Sequence, residues 1–65
     1  MNNSLTERAG ELIYETNYTD GSKFLNLKKS KVKIVVARSF HDDKSWVYFK
    51  TTNIDEVSKL ISKIK

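Results

Sequence analysis

Aromatic and basic residues in the second half of the chain occur together in a way that suits a flat, anionic ligand. Trp46 and Tyr48 are separated by one residue, so a strand would place both rings on the same face. Aromatic rings stack on nucleic-acid bases at about 1–3 kcal/mol per base, and lysines neutralise phosphates. The candidate nucleic-acid-binding residues are therefore Lys28, Lys29, Lys31, Lys33, Trp46, Tyr48 and Lys50.

Charge is distributed unevenly along the sequence. Residues 1–20 carry one basic residue against four acidic ones, a net charge of −3, whereas residues 21–65 carry eleven against four, a net charge of +7. Positive charge gathered in one region of a small domain favours a polyanionic partner. The acidic residues of the first third are expected either to contact a basic site elsewhere or to shield the protein's own positive face. They are Glu7, Glu11, Glu15 and Asp20.

The residue types needed for catalysis are scarce. The chain has one histidine, His41, and no cysteine, and its two glycines are isolated and cannot form a phosphate-binding loop. Residues 41–43 (His-Asp-Asp) are adjacent on a predicted turn, where their side chains diverge, whereas a zinc site needs three or four converging ligands. We therefore expect no catalytic site, no metal and no cofactor.

Length and composition predict one small domain. The chain has 65 residues, of which 38% are hydrophobic and 31% charged, as in soluble globular proteins. The longest uncharged apolar run covers residues 34–37, far short of a membrane span, and the N-terminus does not have the pattern of a secretory signal. The absence of cysteine is typical of a reducing compartment, so the expected location is cytoplasmic.

Alternating apolar and polar residues predict four strands. Residues 1–10 form a flexible or marginally helical lead-in to a single domain at residues 11–65. Strands follow at 11–18, 24–28, 31–40 and 45–51, and the Asp-Gly pair within residues 19–22 predicts a tight hairpin turn between the first two. Residues 41–44 form the turn before the last strand.

The period changes to that of a helix at the C-terminus. Asn53 is a good N-cap, and Glu56 completes a capping box with it. An apolar stripe follows at helical spacing, formed by Ile54, Val57, Leu60, Ile61 and Ile64. The predicted fold is therefore α+β, with the order β-β-β-β-α: a four-stranded antiparallel β-meander and one C-terminal α-helix (residues 53–64) packed on one face. The other face of the sheet is left bare.

The pairing of the last two strands decides which residues occupy the bare face. With Asp42 and Asp43 at the loop tip, His41 lies opposite Lys44 and Val36 opposite Phe49. That register predicts an open face with Lys31, Lys33, Val35, Ala37, Ser39, Trp46, Tyr48 and Lys50, and places Val32, Ile34, Val36, Val47 and Phe49 under the helix. A three-residue loop would instead move Trp46 and Tyr48 to the helix side.

Two functions fit a bare basic and aromatic sheet face. The first is non-catalytic binding of nucleic acid, single-stranded rather than duplex. The alternative is a small protein-binding modulator or inhibitor, of the kind that phages and mobile elements encode, or a homodimer. In this alternative, a host protein or, for the homodimer, a second copy of the chain covers the same face.

Overall fold

The computed structural model describes residues 4–27 and 31–64, which form four strands and two helices. Its fold class is α+β with an antiparallel sheet, as the sequence predicted. No helix in these ranges is long and apolar enough to cross a membrane. The elements are β1 (Ser4–Arg8), β2 (Glu11–Asn17), α1 (Tyr18–Lys23), a 3₁₀ turn (Phe24–Asn26), β3 (Ile34–Ser39), β4 (Lys44–Phe49) and α2 (Ile54–Lys63).

The strands lie in the order β1-β2-β4-β3, and each neighbouring pair is antiparallel. The predicted simple meander is therefore wrong, because β2 pairs with β4 and not with the next strand in the chain. The reason is that α1 follows β2 directly and carries the chain to the far edge of the sheet. β3 forms that edge, and β4 returns between β3 and β2.

A helix occupies the place of the predicted hairpin turn. The Asn17 side chain accepts a hydrogen bond from the backbone N–H of Asp20 at 2.7 Å, which caps α1. Gly21 does not have a positive φ angle but lies inside this helix, where a Cβ would overlap the side chain of Ser45 on β4. The glycine therefore permits close helix–sheet packing. An Asp-Gly pair in the sequence does not show whether its glycine serves a turn or such a contact.

The segment predicted as a short strand at 24–28 is a 3₁₀ turn over Phe24–Asn26, and Lys28 lies outside the described residues. Phe24 is only 2% exposed. Its ring makes edge-to-face contacts with Tyr14 and Phe49, with centroids 6.0 and 5.6 Å apart. An apolar residue directly after a short helix can enter the core without strand pairing, and this burial replaces the predicted strand.

A strand also replaces most of the predicted lead-in. β1 pairs along β2, with Leu5 opposite Tyr14, and residues 1–3 lie outside the described residues. The connection uses Ala9 and Gly10, whose φ angles are +50° and +83°. Positive φ at both central residues is typical of a two-residue hairpin turn. Alanine rarely adopts this conformation, so Ala9-Gly10 is only a weak turn signal in the sequence.

Both helices pack on the same side of the sheet. The residues of the core come from β2, the 3₁₀ turn, β4 and α2, and Leu5, Ile34 and Val36 pack around them. The helices therefore cover only one face of the sheet, and the other face is uncovered, as the sequence predicted. The fully formed core consists of Leu12, Tyr14, Phe24, Val47, Phe49, Val57 and Leu60.

The C-terminal helix confirms the sequence prediction, with two differences. Asn53 accepts from the backbone N–H of Glu56 at 3.1 Å, as an N-cap should. Its own N–H donates to Thr51 Oγ1 at 3.1 Å, so the predicted capping box is not closed by Glu56. Ile54, predicted to be in the apolar stripe, is 50% exposed because it occupies the first helical position, at the end of the packed surface.

The hairpin between β3 and β4 has the predicted faces but a different register. Val36 lies opposite Val47 and Ser39 opposite Lys44, so the expected pairs Val36–Phe49 and His41–Lys44 are wrong. The loop has four residues, 40–43, and Asp43 has a φ of +53°. Its longer turn shifts the pairing by two positions, and an even shift leaves every side chain on its predicted face.

Candidate functional site

The uncovered side of the sheet, here called the open face, has an apolar patch at its centre. Tyr48 on β4 lies between Ile13 of β2 and Val35 of β3. Trp46, also on β4, lies opposite Ala37 of β3. These residues alternate along their strands with core residues, so they point away from the helices. The apolar patch consists of Ile13, Val35, Ala37, Trp46 and Tyr48.

Trp46 and Tyr48 are the two aromatic residues of this patch. They are neighbours on the same face of the central strand β4, so their Cα atoms lie about 7 Å apart. Both are half-buried, because neighbouring strands support the base of each ring. Ala37, which is small and exposed, lies directly beside Trp46 and leaves room above the indole ring. The sequence therefore placed the two rings on the correct face.

Two ion pairs flank the patch along β2 and β4. Lys50 Nζ lies 3.3 Å from Glu11 Oε2 at one end, and Lys44 Nζ lies 3.0 Å from Glu15 Oε2 at the other. All four side chains are partly exposed, and such pairs contribute less than about 1 kcal/mol to stability. Glu11 and Glu15 thus shield the protein's own positive face, which is one of the two roles expected for the acidic residues of the first third.

The predicted lysines separate into three groups. Lys31 and Lys33 are exposed, and no ion pair involves either of them in the described parts of the chain. Lys33 accepts a backbone hydrogen bond from Lys50 at 3.0 Å, so these two residues lie side by side at one end of the open face. Lys50 is paired with Glu11. Lys28 and Lys29 lie outside the described residues.

Arg8 is a basic residue of this surface that sequence reasoning missed. It is exposed at the end of β1, opposite Glu11, and extends the row formed by Lys50 and Lys33. Glu11 lies between the positive charges in this row. The alternation of residues 4–8 before Ala9-Gly10 could have indicated β1, and with it the position of Arg8. This segment is polar except for one leucine, and such a pattern predicts a strand only weakly.

Residues 41–43 form a polar turn. Asp42 accepts a hydrogen bond from Ser39 Oγ at 3.5 Å and its N–H donates back to the same oxygen at 3.4 Å. The Asp43 N–H donates to the carbonyl of Phe40 at 3.4 Å. Over residues 4–27 and 31–64 there is no group of three acidic, histidine or cysteine side chains that could hold a metal ion.

Comparison with known proteins gives no match for this chain among protein-family models, curated proteins or solved structures.

Proposed function

We propose that this protein is a non-catalytic binding protein whose open face takes short single-stranded nucleic acid. The observation that carries the proposal is the position of Trp46 and Tyr48, which are neighbours on the central strand of a sheet face that neither helix covers. In this proposal the two rings stack on successive bases. The lysines at the end of the face contact the phosphates.

The spacing of the rings supports a single strand over a duplex. The Cα atoms of the two aromatic residues lie about 7 Å apart, roughly twice the spacing of stacked bases, and successive bases reach that separation only in an extended strand. Bases inside a duplex also present no free faces to a flat protein surface. Single-stranded ligands place bases on aromatic side chains without sequence-specific contacts.

The charges beside the patch support an anionic ligand. Arg8, Lys31 and Lys33 are exposed and are not among the ion-paired residues of the described chain. Arg8 and Lys33 lie at the Lys50 end of the open face, and Lys31 is two residues before Lys33 in the chain. In this proposal the phosphates of a strand lying across Tyr48 pass that end. Lys50 is held by Glu11 through a weak surface pair, which a phosphate can replace at little cost. Phosphate contacts of this kind make binding strongly dependent on salt.

The size of the apolar patch favours a small flat ligand over an extensive protein interface. The patch spans three strands, with at most two residues on each, and measures on the order of 15 by 10 Å. A standard protein–protein interface buries about 800 Å² on each partner, several times this area. One observation favours a protein partner: Glu15 lies directly opposite Trp46, where it would repel a phosphate.

The experiment is a titration with a fluorescein-labelled single strand of about eight nucleotides, followed by anisotropy. Trp46→Ala should weaken binding by about 5- to 150-fold, the loss of one stacked base. Trp46→Phe should keep most of the affinity, because a ring remains. The control is Ile54→Ala, which changes an exposed apolar residue on α2 and should bind like the wild type.

Thermal unfolding of each variant separates binding from stability. The proposal requires Trp46→Ala to remain folded at the temperature of the titration. If Trp46→Ala is folded and binds the oligonucleotide as well as the wild type does, the open face is not the binding site. Absence of binding by the wild type at about 50 mM salt, where electrostatic binding is strong, would reject nucleic acid as the ligand and favour a protein partner.

A further inference from the structure

Within the described residues, β3 has backbone groups on its outer edge that no other strand pairs with. β3 is the last strand of the sheet, and within residues 4–27 and 31–64 no strand pairs with its outer side. The Lys50 N–H bonds the Lys33 carbonyl, so alternation directs the N–H and carbonyl groups of Ile34, Val36 and Arg38 outward. An unpaired edge of this kind is a template for another strand.

The two edges of the sheet differ in how they resist such pairing. β1 carries Glu7 and Arg8 in a strand of five residues, and charged residues on an edge oppose association. β3 has neither proline nor charge over residues 34–37, the charged side chain of Arg38 lies over the Tyr18 ring, and the pairing of β3 with β4 is free of a bulge. The β3 edge is therefore the one prepared to accept a strand.

An exposed phenylalanine lies just beyond this edge. Phe40 is 84% exposed, although it is a large apolar residue. Its ring is held edge to face against Tyr18 with centroids 5.9 Å apart, and Arg38 lies over the same Tyr18 ring at 5.4 Å. The ring is thus positioned on an ordered hairpin and points to solvent. Rigid exposed aromatic residues are typical anchors of protein interfaces.

An apolar groove lies at the other end of the same strand. Its volume is about 330 Å³, and it lies on the helix side of β3. Leu25, one of its residues, is 44% exposed. Lys33 borders it, and its apolar lining is Phe24, Leu25, Leu27, Val32, Ile34 and Val36.

We propose that two copies of this chain associate through antiparallel pairing of their β3 edges, centred on Val36. Phe40 and Val32 are equally far from Val36 in the sequence, on opposite sides. A two-fold axis at Val36 therefore brings Phe40 of each copy to the Val32 groove of the other. The exposed ring and the apolar groove belong to one self-complementary interface, as two-fold symmetry requires.

The charges agree with this register. Lys33 comes to lie opposite Ser39 of the second copy, and the exposed Lys31 approaches the turn that carries Asp42. Lysines of the two copies are kept at opposite ends of the paired edges, so no like charges face each other. The interface is small, with backbone pairing over about six residues and two buried phenyl rings, and a dissociation constant in the micromolar range is expected (about 1–100 μM).

This pairing does not rest on the proposed function, because it uses the sheet edge and the helix side. It leaves the open face free and extends it across eight strands. The two β4 strands would be three strand spacings apart, about 14 Å. Two Trp46–Tyr48 pairs would then lie side by side on one continuous surface.

Sedimentation velocity from about 0.5 to 500 μM protein, a range that brackets the expected dissociation constant, tests the proposal. The wild type should change from one chain to two across this range. Phe40→Ser should weaken association by about tenfold or more, since it removes the ring that fills the groove. The control is Ile54→Ser, which changes a different exposed apolar residue, located on α2, and should associate like the wild type.

Disulfide crosslinking tests the register, because the natural sequence contains no cysteine. In the proposed pairing the two Val36 Cα atoms are about 5.5 Å apart, a distance that a disulfide spans. Oxidised Val36→Cys should therefore form a covalent dimer. Thr6→Cys, exposed on β1, is the control and should remain a monomer.

Three results would overturn the proposal: a wild type that remains one chain throughout the range, Val36→Cys that crosslinks no better than Thr6→Cys, or association that Trp46→Ala abolishes and Phe40→Ser does not. The last would assign the dimer to the open face. Because Phe40 lies outside the open face, Phe40→Ser should still bind the labelled oligonucleotide. The outcomes for nucleic-acid binding and for self-association are thus separate.

Discussion

Gly21 and Ser45 meet where α1 crosses β4, and their contact controls how closely the helix approaches the sheet. Ser45 is fully buried, and its Oγ finds no hydrogen-bond partner in the described chain. A buried hydroxyl without a partner costs roughly 1–3 kcal/mol in lost hydration. A Cβ on Gly21 would overlap Ser45 Cβ and Oγ, so the helix lies this close to β4 only because residue 21 is glycine.

Substitutions on the two sides of this contact should have opposite effects on stability. Ser45→Ala removes the unpartnered hydroxyl and should leave the free energy of unfolding unchanged or raise it by about 1 kcal/mol. Gly21→Ala inserts a methyl group into occupied space and should lower it by about 1–3 kcal/mol. Urea unfolding of both variants measures these changes. A Ser45→Ala protein less stable by more than about 1 kcal/mol would indicate that Oγ has a partner.

The residue types of the open face could be read from the sequence, and their ionic partners could not. Trp46 and Tyr48 share a face because strands alternate, whatever their neighbours are. The pairing of Lys50 with Glu11 depends on β2 lying beside β4, and these residues are far apart in the chain. Arg8 was missed for the same reason, since its place on the surface follows from a pairing between β1 and β2.

At the scale of elements, local signals identified α2 and failed for α1. The C-terminal helix has a cap, acidic residues in its first turn and an apolar stripe, and each acts within one or two turns. α1 has only six residues, and its Asp-Gly pair is typical of a turn. Its helix is stabilised by contacts with the sheet, such as Arg38 Nη1 donating to Ser22 Oγ at 3.2 Å. Short helices depend on such tertiary contacts because their nucleation is unfavourable.

The N-cap of α2 provides a test at this scale. Asn53→Ala removes the acceptor for the Glu56 N–H and should lower the free energy of unfolding by about 1 kcal/mol. Thr52→Ala, one position earlier, changes an exposed residue outside the cap and should have little effect. Thermal unfolding by circular dichroism compares the two. Equal stability of the two variants would show that the cap does not limit the stability of the helix.

At the scale of the whole molecule, exposed lysines lie on both sides of the sheet. Lys33 and Lys59 are both exposed lysines, but Lys33 borders the open face and Lys59 lies on α2. Each can be neutralised without altering the core. The pair therefore separates a local phosphate contact from the effect of net charge, which both substitutions reduce equally.

Lys33→Gln should weaken binding of the labelled oligonucleotide and reduce the slope of log affinity against log salt by about 0.7, the effect of one phosphate contact on a single strand. Lys59→Gln should leave that slope unchanged. The measurement is the anisotropy titration repeated at several salt concentrations. Equal losses for the two variants would mean that nucleic acid responds to overall charge and not to a site on the open face.

By itself the sequence determined the fold class, the C-terminal helix, the face of each strand in the last hairpin and the presence of an uncovered surface. These depend on period, capping and composition, which act over a few residues. Only the tertiary structure decided the β1-β2-β4-β3 order, the helix at Tyr18–Lys23 and the ion pairs beside Trp46. Which strands pair depends on how segments far apart in the chain, such as Phe24 and its neighbours, are buried together in one core. A local sequence pattern does not contain that information.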